Sequence, residues 1–197
     1  MSEIEAIKSQ QRLIELADCG IVGVKEAKVQ KGGDTSSLEW DRYMRLNQTA
    51  LLVKECELPV GSIILDVGGY DGAFALFVPN YRVWVIDPAT TGIEGLVLPV
   101  ENKSFDVVVS IDALEHVQQT DRAFFLQELV RVCRKHLFIN FPEARSTCAQ
   151  NIALQLTNNR MIREHVEYVL PSAGGVTRFL QQKGAHIRHV LGSFDYW

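Results

Sequence analysis

The four cysteines of this chain, Cys19, Cys56, Cys133 and Cys148, lie far apart and form no Cys-x-x-Cys pair. That spacing suggests neither a zinc knuckle nor a redox dithiol, and free structural thiols in a reducing compartment are expected. No apolar run approaches the ~20 residues of a membrane span, and the opening stretch MSEIEAIKSQQRL lacks the apolar core of a secretory signal. A cytoplasmic protein with no membrane partner is the expectation. A basic face is missing too: 20 Lys and Arg stand against 24 Asp and Glu, a formal net charge of -4. Nucleic acid is therefore not expected as a partner, and a small or weakly charged molecule is favoured. The phosphate-cradling pattern G-x-x-x-x-G-K-[ST] is absent, which disfavours a nucleoside triphosphate.

What is present fits one soluble globular domain able to bury a sizeable core, with 197 residues of which 47% are hydrophobic and 22% charged. Leu13, Ile14 and Ala17 recur at helical spacing, and Trp40, Tyr43, Met44, Leu51 and Leu52 form an apolar stripe over 39–55. Residues 31–37 between them read as a loop. The expectation for 1–58 is an N-terminal helical cap of two helices and a mobile joint. From Pro59 onward short runs rich in Val, Ile, Leu and Phe, at 63–67, 82–86, 105–110 and 136–141, suit strands covered on both faces. Helical stretches at 73–78 and 121–134 alternate with them, and a helix over 173–183, stopped by Gly184, leads to a strand near 186–191. This is the alternation of an α/β, doubly wound, mostly parallel sheet occupying 59–197.

The most informative string is Leu65-Asp66-Val67-Gly68-Gly69-Tyr70-Asp71-Gly72, at the end of the first expected strand after Pro59. In an open α/β sheet ligands bind beyond the carboxyl ends of the strands, where glycines let backbone approach closely. A helix from Ala73 would aim its N–H groups at the same loop. The G-x-G-x-x-G of a nicotinamide dinucleotide site fails here at its third and sixth places.

LDVGGYDG resembles the first motif of the class I S-adenosylmethionine (SAM)-dependent methyltransferases, D-x-G-x-G-x-G, with Tyr70 where the middle glycine is usual. The match continues in order. Asp87 closes the strand VWVID and is followed by Pro88, Glu94-Gly95 stands in a segment that meets adenine in the family, and the block from Phe105 to Val117 ends in Leu114-Glu115-His116-Val117. The resemblance covers about residues 60 to 142 and implies a Rossmann-like fold with SAM as cofactor. It implies cofactor contacts from Asp66, Gly68, Gly69, Tyr70, Gly72, Asp87, Pro88, Glu94, Gly95, Asp112 and Leu114, with Asp87 on the ribose hydroxyls. It also implies an enzyme moving a methyl group to a small-molecule or saccharide acceptor, at oxygen. The alternatives are a SAM-binding partner subunit without turnover, kept open by Tyr70, and an NAD-dependent oxidoreductase, for which Asp87 would also serve.

His116 and Glu115 are the candidate catalytic residues. At the mouth of the site a histidine of pKa near ~6.5 can take a proton from an acceptor hydroxyl, and the competing reading is that the pair orients the next helix. Asp112-x-x-Glu115-His116 is similar to a carboxylate and histidine cluster that binds a divalent ion in some methyltransferases. The string supplies too few oxygens for a hard-ion shell, so no metal is assigned. Residues 163–168 read as an acceptor wall or a solvated helix face, and Trp40 and Tyr43 as a cover for the cofactor or as core. The family ends in two further strands, and only Ser193 to Trp197 follow Gly192. The final strand is therefore expected to be missing, or the chain to belong to a longer polypeptide. Either way a homodimer or parent protein would cover Phe194, Tyr196 and Trp197.

Overall fold

The computed structural model describes residues 13–188. Its backbone is a six-stranded sheet in the order β1-β2-β4-β3-β5-β6. Four strands are parallel neighbours: β4 (Arg82–Ile86), β3 (Ile63–Val67), β5 (Phe105–Ile111) and β6 (Cys133–Asn140). Their carboxyl ends therefore open on one side, which gathers the loops at 68–72, 87–91, 112–116 and beyond 140.

The first of the two expected N-terminal helices is replaced by a hairpin. β1 (Ile14–Asp18) pairs antiparallel with β2 (Lys25–Val29), and β2 pairs antiparallel with β4, so this segment extends the sheet. Lys25-Glu26-Ala27-Lys28 has good helix formers, but pairing with the open edge of β4 supplies backbone partners that a short isolated helix would lack. Gly20 and Gly23, at φ 87 and 76, make the reversal possible. The second expected helix is present as α1 (Trp40–Lys54).

Ile64, Val83, Val107 and Val109 face one core layer with α1, whereas Leu65, Val67, Ile86 and Val108 face another with α2 (Arg122–Val132). Successive side chains of each strand thus enter opposite layers, which is why the strands read as unbroken apolar runs. α3 (Thr147–Thr157), α4 (Arg160–Glu167) and α5 (Ala173–Gln182) complete the described chain.

Two further expectations are corrected. Residues Ala73–Phe77 form one 3-10 turn rather than an α-helix, so no macrodipole of consequence points at the glycine loop. After α5, Gly184 reverses the chain at φ 83 as expected, but residues 185–188 form no strand; positions 189–191, with Phe194, Tyr196 and Trp197, lie outside the described residues. No described helix is long and apolar enough to cross a membrane.

Candidate functional site

The loop after β3 is built to bring backbone close. Gly68 and Gly72 have φ of 84 and 76, and Tyr70 shares the left-handed region at 46. A Cβ on Gly68 would run into Ala113 of the loop after β5, and one on Gly69 into the Asp66 carboxylate. One on Gly72 would stand 2.6 Å from Ala27 of the hairpin. Gly68 and Gly72 are therefore required by a neighbour as well as by their own dihedrals, and Gly69 by its neighbour alone.

Beneath the loop, Asp66 is 2% exposed and its Oδ1 has no partner. Burial, reinforced by the charges of Asp71 and Asp87, pushes this carboxyl up to about 8. A group in that state is a place where added positive charge would be welcome. Asp87, 7% exposed, ends β4 with its Oδ1 accepting from the N–H of Ala89 at 2.8 Å and its Oδ2 accepting from the N–H of Tyr70 at 3.2 Å. It thus ties the first loop to the second while keeping unused acceptor capacity. Pro88, next in the chain, and Glu94 are exposed, and Gly95 lies against the Phe125 ring, which leaves no room there for a Cβ.

Two arginines of α1, which sequence reasoning did not single out, brace these loops. The Arg42 guanidinium donates through both terminal nitrogens to Asp71, at 3.0 and 2.5 Å. Arg45 donates from Nε to Asp112 Oδ2 at 2.5 Å and from Nη1 to Asp41 at 3.1 Å. Spacing of three residues places both on one helix face. Their signal in the sequence is two arginines away from the apolar stripe, but their partners lie 29 and 67 residues away. Trp40 is 72% exposed and stacks on Tyr43, which in turn packs on Phe77; Tyr43 therefore belongs to the core.

After β5 the chain turns at Asp112, φ 53, into a short 3-10 turn, Leu114–His116. Leu114 is fully buried in the core layer shared with α2. Glu115 is 1% exposed with Oε2 unpartnered, and burial next to Asp112 holds its carboxyl well above the usual range. His116 Nδ1 lies 2.9 Å from Glu164 Oε2, and its Nε2 lies 3.4 Å from the Nε2 of His165. His165 is held from behind by Gln150 Oε1 at 3.1 Å, and burial, with the neighbouring His116, lowers its pKa to about 4. The segment 163–168 is thus the end of a helix whose Glu164 and His165 turn inward onto the loop after β5.

Residues 65–139 match the family model for a methyltransferase domain. No curated protein matches the chain. Among solved structures, the YcgJ protein of Bacillus subtilis is similar at 13% identity and a TM-score of 0.46, over 71% of this chain and 67% of that one. The mmp1179 protein of Methanococcus maripaludis, by assignment an S-adenosyl-L-methionine-dependent methyltransferase, is similar at 12% identity and 0.49, over 77% and 82%. The matched segment runs from the strand that carries Asp66 to the strand that follows α2, and so contains the glycine loop, Asp87 and the loop after β5. Residues 65–139 thus match a methyltransferase domain, the kind of enzyme that takes its methyl group from SAM.

Proposed function

We propose that this enzyme transfers the SAM methyl group to an oxygen of a small-molecule or saccharide acceptor, with the cofactor held by the loops after β3 and β4. The observation that carries the reading is the convergence of three loops at one end of the sheet, with an orphaned acid beneath the first. The residues suit SAM: Asp66 offers a buried carboxyl whose unpartnered oxygen a cationic ligand would ionise, and Asp87 offers a strand-end carboxylate for the ribose hydroxyls. Glycines at 68, 69 and 72 leave the approach open. When bound, SAM supplies an activated methyl group, so no protein nucleophile is needed.

The chain's own work is to hold, orient and manage a proton. Arg42 and Arg45 fix the first and third loops relative to each other through Asp71 and Asp112. Ala113 packs against Gly68, so the turn bearing His116 adjoins the cofactor loop. Glu164 accepts a hydrogen bond from His116 Nδ1 and so turns the ring's Nε2 toward His165, on the side of the loop that this reading gives to the acceptor. The absence of a basic cluster favours an uncharged or weakly charged acceptor over nucleic acid. Among the described residues β6 pairs only with β5, and we propose that this edge is covered by a second copy of the chain. Sedimentation at micromolar concentration tests that point, with a monomer refuting it.

Incubation with SAM and a panel of hydroxylated small molecules and saccharides, read by mass spectrometry of demethylated cofactor and acceptor, tests the reaction. His116→Ala is expected to lower the transfer rate at least tenfold with SAM affinity unchanged. Equal rates would remove His116 from the acceptor side.

A further inference from the structure

We infer that Glu115, His116 and His165 form a site for one divalent ion of the zinc type, whose open position receives the acceptor oxygen. The role given to the acceptor rests on the methyl-transfer reading above, whereas ion binding stands on the cluster alone. The argument begins with the imidazole protons. His116 Nδ1 faces a carboxylate oxygen of Glu164 at 2.9 Å, and a carboxylate only accepts, so Nδ1 carries a proton and, in the neutral ring, Nε2 is a bare lone pair. His165 Nδ1 faces the amide oxygen of Gln150 at 3.1 Å, which likewise accepts, so His165 Nε2 is bare as well. The two lone pairs look at each other across 3.4 Å.

Facing lone pairs call for a cation between them. Two nitrogens each 2.0–2.1 Å from a tetrahedral ion stand about 3.4 Å apart, which is the spacing found. A third ligand is at hand. Glu115 Oε2 is buried with no partner, and the ligand atoms of Glu115, His116 and His165 all lie within 4.8 Å of one another. A buried carboxylate without a partner is costly unless it meets a cation. Glu164 and Gln150 stand behind the imidazoles as the outer hydrogen-bond partners that ligating histidines use to fix tautomer and ring orientation.

The ligand set also selects the ion. Two imidazoles and one carboxylate suit zinc, cobalt or iron, whereas magnesium and calcium want more oxygens. Asp112, the other acid of this loop, is taken by Arg45, so three protein ligands remain and at least one position is open, as in catalytic rather than structural sites. An acceptor hydroxyl seated there would release its proton to solvent near neutral pH. The oxygen's electron pair then forms the bond to the methyl carbon while the carbon–sulfur pair returns to sulfur.

The test is calorimetric titration of the full chain with Zn2+, Co2+ and Mg2+, with the visible spectrum of the Co2+ form. One Zn2+ and one Co2+ per chain are expected, Co2+ with the intense bands of low coordination number and Mg2+ at least 100-fold weaker. His165→Ala should lose at least tenfold in Zn2+ affinity. Gln150→Ala, which leaves all three ligands in place, should lose about 10–100-fold. SAM affinity is measured on every variant and is expected to hold. Absence of Zn2+ and Co2+ binding, or equal binding in wild type and Gln150→Ala, overturns the site; if His165→Ala does not fold, Gln150→Ala decides. Zn2+ binding with no SAM binding in wild type would retain the ion site and refute the methyl-transfer reading instead.

Discussion

Asp66 shows how a single residue trades stability for binding. Its folded-state pKa of about 8 lies above the unfolded value of 3.8, so the native chain holds the proton more tightly. That contribution to stability is complete below pH 3.8 and is lost as pH rises through 8, which makes the ligand-free fold weaken with pH across that window. Asp66→Asn removes the titration, and melting curves at pH 5 to 9 are expected to show a flatter dependence and a gain on the order of 1–3 kcal/mol at pH 7. An unchanged slope would show that the carboxyl does not titrate there. Conversely, a cationic ligand should bind wild type more tightly as pH rises toward 8, and this trend should vanish in Asp66→Asn. At this scale the sequence was informative where backbone geometry demanded a residue type, as at Gly68 and Gly72. It was silent where the demand came from a distant side chain: nothing near Arg42 indicates Asp71, and nothing near His116 indicates His165.

Among the elements, the hairpin β1–β2 is the part the sequence hid. Five-residue strands rich in Glu, Lys and Ala carry almost no periodicity signal, and only the open edge of β4 makes them strands. Strands β3 to β6 were legible because burial on both faces enforces apolar runs. The hairpin also closes against the glycine loop through Ala27, which gives a local test. Gly72→Ala meets both a positive φ of 76 and the Ala27 Cβ, and is expected to destabilise by about 1–3 kcal/mol and to weaken SAM. Gly61→Ala, with φ 82 but nothing within 4 Å, should show strain alone and leave SAM affinity intact. Equal effects of the two on SAM would detach the hairpin from the site. Helix α1 brings a second test: Arg42→Ala breaks the two-point pairing with Asp71, and thermal melts should show a loss of roughly 0.5–1.5 kcal/mol, discounted for partial exposure. SAM affinity should fall with it, and an unchanged affinity would make the brace purely structural.

Across the whole molecule, the carboxyl ends of the four parallel strands collect the glycine loop, Asp66 on β3, Asp87 just after β4, and the turn after β5 with the inward face of α4. The proposed cofactor half drew a signal from the sequence because its residues lie within one continuous segment, 65–139, that also matches a methyltransferase domain. The proposed acceptor side drew none, because it joins His116 to His165, 49 residues away, and answers to a substrate that the fold does not fix. The central claim, that SAM is held across the loops after β3 and β4, is tested most directly by calorimetric titration of SAM into wild type and Asp87→Ala. The account predicts one site per chain and an affinity about 5- to 150-fold weaker in the variant, equivalent to roughly 1–3 kcal/mol for bonds lost to a charged group. No SAM binding by wild type, or the same affinity in both proteins, would contradict it.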